Sequence, residues 1–444
     1  MAPVIPIVPS KSIFGSMKEY VADPIGFIGK HQQEFGDIFQ FRLAHRKLTV
    51  ICNPAEVQHI LQTNHRNYIK SLAYRKLQLL LGQGLFTSEG EFWLRQRRLA
   101  QPAFHKEQIA GYARIISVLT QEMIERWKAH DSLSINTEMT HLTLRIISKT
   151  LLGIDIQEQG GTIEEYLPPA LKFMIKRITT AFSTPLFLPT QKNRQFKKSV
   201  EVLNNLIAGL IAERRALETE KDDLLSKLIT AVDGESGQGM TDQQLRDEVM
   251  TFFLAGHETT AVTAIWTIYL LDKNREVLQK VRDEITSQAE DDFVNLPYLE
   301  MVIKESMRLY SPVWILSREA KGEDKLSGYT IGKGDSVIFS PFLIHRDKRF
   351  WQNPEVFNPE RFLKEPERYS YFPFGGGPRL CIGNNFAMLE LKIILAAIIR
   401  NFDFHVTGDK APGYDFSLTL RPDQELTIKL KPLGVSAQHH IAAK

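Results

Sequence analysis

Cysteine is almost absent: 444 residues contain only Cys52 and Cys381, too few for a disulfide framework or an ordinary four-cysteine iron–sulfur cluster. Such scarcity fits a reducing compartment, and a cytoplasmic location is expected. No window of about 18 uncharged apolar residues occurs, so no segment is expected to span a bilayer. The first ten residues are apolar but broken by Pro3, Pro6 and Pro9, and they lack the charged start and continuous core of a signal peptide. Neither sign of charge dominates. With 55 Lys and Arg against 52 Asp and Glu, and no dense basic block, there is no electrostatic case for nucleic acid. Gly-x-Gly fragments at Gly82, Gly237 and Gly375 follow no strand and complete no dinucleotide fingerprint. Neither a repeat nor a long linker divides the chain, so residues 1–444 are expected to form one domain.

A hydrophobic content of 43% with 24% charged residues is that of a folded protein. Residues 37–43 and 48–52, joined across 44–47, read as a β-hairpin. Residues 329–331 and 336–340 read as strands around Lys333-Gly334, and 417–420 with 425–430 as a terminal hairpin across 421–423. Helical periodicity covers 112–127, 139–152, 170–182, 197–217 and 299–309. The connection 182–189 is apolar and bounded by proline, and is expected to be a partly buried loop. Thr241 with Gln244 forms a capping-box start for a long helix reaching Leu271.

Four segments carry candidate chemistry. The loop from Phe374 to Gly383 reads F-x-x-G-x-R-x-C-x-G, with Cys381 just before a buried helix. A helix start and a guanidinium nearby both favour an ionised sulfur, which suits a metal ligand. Trp93 and Arg97 stand four residues apart, on one helix face. Within the long helix, Gly256 is unfavourable by about 1 kcal/mol relative to alanine, which suggests a close approach or a local distortion. Glu258 and Thr259 interrupt its apolar stretch and are costly to bury without partners. Finally, Glu305 and Arg308 share a helix face, and Arg361 follows within the segment 357–362.

Together these segments resemble the cytochrome P-450 superfamily of haem-thiolate monooxygenases, over nearly the whole chain and most specifically in its last third. The resemblance implies a mainly α fold with minor β-sheets and a haem b. Cys381 would be the proximal iron ligand, within a loop whose Phe374, Gly377 and Gly383 fit the cofactor. Arg379, Trp93, Arg97 and Arg318 would reach the haem and its propionates. Residues 255–259 match the family's A/G-G-x-D/E-T segment across the distal face, where Thr259 would assist oxygen activation and Glu258 would relay protons. Glu305, Arg308 and Arg361 would form a buried scaffold cluster.

By the same resemblance, the substrate cavity would take Phe252, Phe253, Ala255, His257, Val313, Trp314, Ile315, Leu316 and Phe416, favouring a lipophilic molecule such as a fatty acid or terpenoid. Hydroxylation and O-demethylation would use the same machinery. Electrons would come from a separate ferredoxin or flavodoxin type donor with its reductase. Arg95, Arg98 and Lys392 are candidates to receive such an acidic partner. The absence of an amino-terminal membrane helix fits the soluble bacterial type. Peroxide-driven or isomerising enzymes, and a non-catalytic haem carrier or sensor, are the other readings of the same loop.

Overall fold

The computed structural model describes residues 3–10, 12–155, 161–180, 183–216, 223–288, 295–408 and 410–433. Its longest element is the helix Asp242–Lys273, which we call the central helix. It starts where expected: the Thr241 hydroxyl accepts the Gln244 N–H, and the Gln244 side chain accepts the Thr241 N–H. Most of its residues from Leu245 to Asp272 are buried, so it has no single apolar stripe and must be packed on several sides. The helix Ile135–Leu152 lies along one side. The helix Asn384–Asn401, which follows Cys381, lies along another.

Gly256 marks the closest approach on the first side. A Cβ there would stand 2.8 Å from Cδ1 of Ile147, so glycine lets two helices meet, as the sequence suggested. Two large apolar cores result. One joins the helices Lys106–Trp127, Pro297–Leu309 and Asn384–Asn401 to the carboxyl-terminal half of the central helix. The other joins Leu72–Leu81, Gly90–Ala100 and Gln191–Ala216 to its amino-terminal half. The architecture is mostly helical with small sheets.

The main sheet has five strands in the order Ile38–Leu43, Arg46–Ile51, Ser336–Phe339, Leu316–Ala320 and Tyr68–Lys70. The first hairpin is present, with its turn tightened to Ala44-His45 and Ala44 at φ 52°. Of the two strands read around Lys333-Gly334, only Ser336–Phe339 joins this sheet. Tyr329–Ile331 pairs with Asp324–Leu326 instead. The terminal hairpin differs from the sequence reading. Leu420–Pro422 turns back on Tyr414–Phe416, while Thr427–Pro432 pairs with Phe402–Val406 and Ser132–Ser134. Of the connection 182–189, Phe182 lies outside the described residues. The remainder is partly buried through Leu186, which packs against the second core, while Phe187 is 79% exposed and Asn193 ties the backbone down through the Pro185 and Leu188 carbonyls.

Candidate active site

The cysteine loop is held by its own backbone. The Cys381 N–H donates to the Phe374 carbonyl at 3.0 Å, and the Leu380 N–H to the Gly377 carbonyl at 3.1 Å. Gly377 has φ 63°, and a Cβ on it would fall 1.9 Å from the Leu61 carbonyl oxygen, so this position demands glycine twice over. Gly383 is different: its φ of −92° is ordinary, and a Cβ would only touch Phe104. No protein contact therefore requires glycine at 383.

The Cys381 thiol is exposed on a cavity of about 470 Å³ whose walls include Arg97, Phe104, Leu380 and Ile382. Arg97 crosses from its helix to the Leu380 carbonyl at 3.0 Å. Desolvation by the surrounding protein pushes the thiol pKa up, while the Gly383 N–H and the Arg97 guanidinium pull it down. The expected helix start and guanidinium are both present, but the loss of solvation against the cavity walls outweighs them. The guanidinium is that of Arg97, not Arg379. A bound metal ion is the ordinary means of deprotonating such a thiol.

Beside the loop lies an unusual concentration of buried cations. Lys70 and Arg318 are directly opposed on neighbouring antiparallel strands, and both side chains are under 9% exposed. Like charges facing each other across a sheet are destabilising. Arg379 adds a third, stacked 3.9 Å from the Trp93 ring centroid and donating to the Ser88 carbonyl and the Glu89 carboxylate. Burial pushes the Arg379 pKa down to about 10, with Arg318 acting in the same direction and Glu89 against it. Burial also holds Lys70 well below its usual value, and Arg379 and Arg318 depress it further. Lys70 caps the Leu85 and Phe86 carbonyls at 2.9 and 2.5 Å, whereas Arg318 makes one hydrogen bond among the described residues, to the Ser317 carbonyl. Arg379 pairs with Glu89, which also accepts the Lys70 backbone N–H, while Arg318 adds only repulsion, a deficit of anionic charge that the carboxylates of a haem would fill. With the exposed thiol alongside, the residues present fit that group.

On the central helix the outward-looking positions are few. Ala255 is exposed, Gly256 and Thr259 are half-exposed, and their neighbours are buried. The Thr259 hydroxyl donates back to the Ala255 carbonyl at 2.6 Å. His257 is on the other side, contrary to expectation. Its Nδ1 lies 2.6 Å from the Phe253 carbonyl, its own carbonyl accepts the Thr143 hydroxyl, and burial lowers its pKa. Two residues from 255, it stands about 200° around the helix, so it faces away from the Ala255 side.

Phe252 and Phe253 are buried in the second core, Phe252 with its ring centroid 5.4 Å from that of Phe104. Trp314 is likewise committed to a small core, edge-on to Phe416. Of the nine expected cavity residues, Ala255, Val313, Ile315, Leu316 and Phe416 remain accessible. Glu258 is 4% exposed, and its Oε1 accepts from Thr419 Oγ1 at 2.6 Å and from Arg421.

The scaffold cluster has the expected form. Glu305 receives Arg308 through two bonds of 2.7 and 2.9 Å, Arg361 at 3.0 Å and the Asn358 N–H at 2.9 Å. The cationic surface for a partner does not. Arg95 is tied to the carbonyls of Gln238 and Gly239, and Arg98 is paired with Asp233 and Glu235. Lys392 is buried near Glu300. All three serve internal contacts.

Sequence reasoning missed Lys70, Glu89, Thr419 and Arg421. The first two carry no local motif, and the last two fall in the misregistered hairpin.

A family model for cytochrome P-450 matches residues 6–430. The chain is 34% identical over 402 residues to cyclooctatin synthase of Streptomyces melanosporofaciens, covering 87% of each chain. It is 35% identical over 377 residues to cyclooctat-9-en-7-ol 5-monooxygenase of the same organism, covering 82% of this chain and 81% of that one. Cytochrome P-450 4V2 of Rattus norvegicus is 32% identical over 415 residues, 85% of this chain and 79% of that protein. No helix among the described residues is long and apolar enough to cross a membrane. The chain belongs to the cytochrome P-450 family of haem-thiolate monooxygenases.

Proposed function

We propose that this enzyme oxidises a C–H bond of a lipophilic, terpenoid-class substrate, drawing electrons from a separate ferredoxin or flavodoxin type donor. Cys381 would ligate the haem iron, and Arg379, Arg318 and Lys70, with Arg97 and Trp93 nearby, would receive its propionates. The bound haem supplies oxygen activation and the oxidising equivalent for the C–H bond. The protein's share is orientation and proton control. Thr259 spends its own proton on the Ala255 carbonyl, so its oxygen lone pairs are free to accept from a proton-bearing water. Glu258, one residue before it, brings protons from the surface side. Ala255, Val313, Ile315 and Leu316 are apolar and accessible, which suits a hydrocarbon skeleton. The relative named as a cyclooctat-9-en-7-ol 5-monooxygenase acts, by its name, on an unsaturated alcohol, which supports a lipophilic substrate.

The observation that carries this reading is the accessible Cys381 thiol beside a surplus of buried cations. In the test, reduced protein under carbon monoxide gives the red-shifted Soret band of thiolate-bound haem. Cys381→Ser loses that band, and Cys52→Ser, whose thiol is buried far from water, retains it. Incubation with lipophilic terpenoid alcohols, a surrogate ferredoxin and its reductase then yields a product heavier by one oxygen atom. A thiolate band surviving in Cys381→Ser refutes the ligand assignment. A product formed equally well without oxygen refutes the reaction.

A further inference from the structure

The Glu258 carboxylate is held asymmetrically. Thr419 Oγ1 and both Nε and Nη2 of Arg421 meet on one oxygen, Oε1. Oε2 takes no hydrogen bond from the described residues. One oxygen of a buried acid is therefore anchored, and the other is left to carry a proton. The anchor also reaches solvent: the Arg421 side chain is 45% exposed, against 5% for that of Glu258.

The backbone behind the anchor is rigid. Leu420, between the two clamping residues, is fully buried. Its N–H donates to the Pro312 carbonyl at 3.0 Å, and its carbonyl accepts the Trp266 indole N–H at 2.8 Å. Leu420 also pairs with Phe416 across the hairpin. With both neighbours' backbone pinned, the part free to move is the outer end of the Arg421 side chain. Rotation of a partly exposed arginine is a small event, whereas a shift of the hairpin would break two buried hydrogen bonds.

We propose that Arg421 and Thr419 are positioning residues for proton delivery. They fix Oε1 of Glu258 so that Oε2 accepts a proton arriving from solvent past Arg421 and releases it toward the Thr259 side. The step is a proton relay only: Oε2 gains one proton from water on the surface side and loses one on the cavity side, with no change in electron count. This role rests on the monooxygenase reading given above, since a haem carrier has no use for a relay.

The test uses haem-loaded wild type, Arg421→Gln, Arg421→Lys, Thr419→Val and Glu258→Gln. A double-mutant cycle on the thermal midpoint of the haem-loaded protein reports the clamp without turnover. Arg421→Gln and Glu258→Gln each lower the midpoint, and the double variant loses less than the sum of the two. Strict additivity overturns the contact itself. Turnover then reports the role. Arg421→Gln yields about tenfold less product per electron pair and shows a larger solvent deuterium isotope effect, Thr419→Val shows a smaller loss, and Arg421→Lys restores most of the yield. Non-additive midpoints with unchanged yield and isotope effect make the clamp structural and overturn the proposal. Failure of the wild type to form any oxygenated product, with its thiolate band intact, is a separate result that defeats the monooxygenase reading and the relay with it.

Discussion

Two buried charge clusters stand on opposite terms with the rest of the protein. In the Glu305 cluster nearly every donor is matched. Arg308 divides its N–H groups among Glu305, the His345 carbonyl and the Val356 carbonyl, and Arg361 covers Glu305 and the carbonyls of Gln352, Asn353 and Val356. In the Lys70–Arg318–Arg379 cluster Glu89 pairs with Arg379 and accepts the Lys70 backbone N–H, and Arg318 makes one hydrogen bond among the described residues, to a carbonyl. The first network is closed and serves the scaffold. The second is open, and its deficit is of the kind a dianionic cofactor fills. A buried cation that its own fold leaves short of partners is thus a better pointer to a binding site than a buried ion pair, which perturbs nothing beyond itself.

The largest effect expected from breaking this contrast falls on the closed side. Glu305→Ala leaves two guanidinium groups around an empty position at the centre of the network. The expected cost is about 3–5 kcal/mol, the range for removing one partner of a buried pair. Poor expression, or protein without haem, is the readout. A stable, fully haem-loaded Glu305→Ala protein shows that the carbonyls alone satisfy the arginines.

A second contrast is between Glu305 and Glu390, both almost fully buried. Neither oxygen of Glu390 has a hydrogen-bond partner among the described residues, the Thr260 hydroxyl donating instead to the Gly256 carbonyl. Desolvation raises its pKa to about 8. The folded state therefore binds a proton that the unfolded chain, with glutamate near 4.3, releases earlier. Between those values the folded protein holds more protons, so stability falls as pH rises, by at most about 1.4 kcal/mol per pH unit for this group. Glu390→Gln removes that slope and keeps the shape. The check is the thermal midpoint followed from about pH 5 to 8: the wild type declines more steeply than the variant. Glu248, also raised to about 8 by burial, keeps a slope in both proteins. Equal slopes in the two proteins show that Glu390 is not neutral in the folded state.

What the sequence disclosed follows the same division. Groups close together along the chain were legible: the cysteine loop, the Trp93–Arg97 spacing, the Thr241 capping box, and the Glu305–Arg308 pair with Arg361 behind it. Lys70 was not, because its meaning comes from facing Arg318 across two strands 248 positions apart, and strand register is invisible without the fold. Thr419 and Arg421 were hidden by an error of pairing. Residues 427–432 do form a strand, but its partner is Phe402–Val406, and the tight turn lies between Phe416 and Leu420. His257 was misassigned for a different reason. Its neighbours Ala255 and Thr259 share a face, and helix geometry alone places 257 opposite them.

The smallest expected effect sharpens the open side. Arg318→Gln and Lys70→Met each remove one cation from the cluster, yet they do not do the same thing. Lys70 also caps the Leu85 and Phe86 carbonyls, and its loss leaves buried acceptors unmatched. Arg318 gives up only its bond to Ser317 and relieves the repulsion on Lys70. Arg318→Gln should therefore leave the thermal midpoint of the haem-free protein within a degree or two of wild type, or slightly above it. Lys70→Met should lower it. Haem retention separates from stability in the first variant and not in the second. We expect Arg318→Gln to lose haem to apomyoglobin about tenfold faster than wild type, equivalent to about 1.4 kcal/mol of lost affinity. Wild-type retention in Arg318→Gln means the cation surplus does not hold the cofactor, and the fit between cluster and haem fails at its most exposed point.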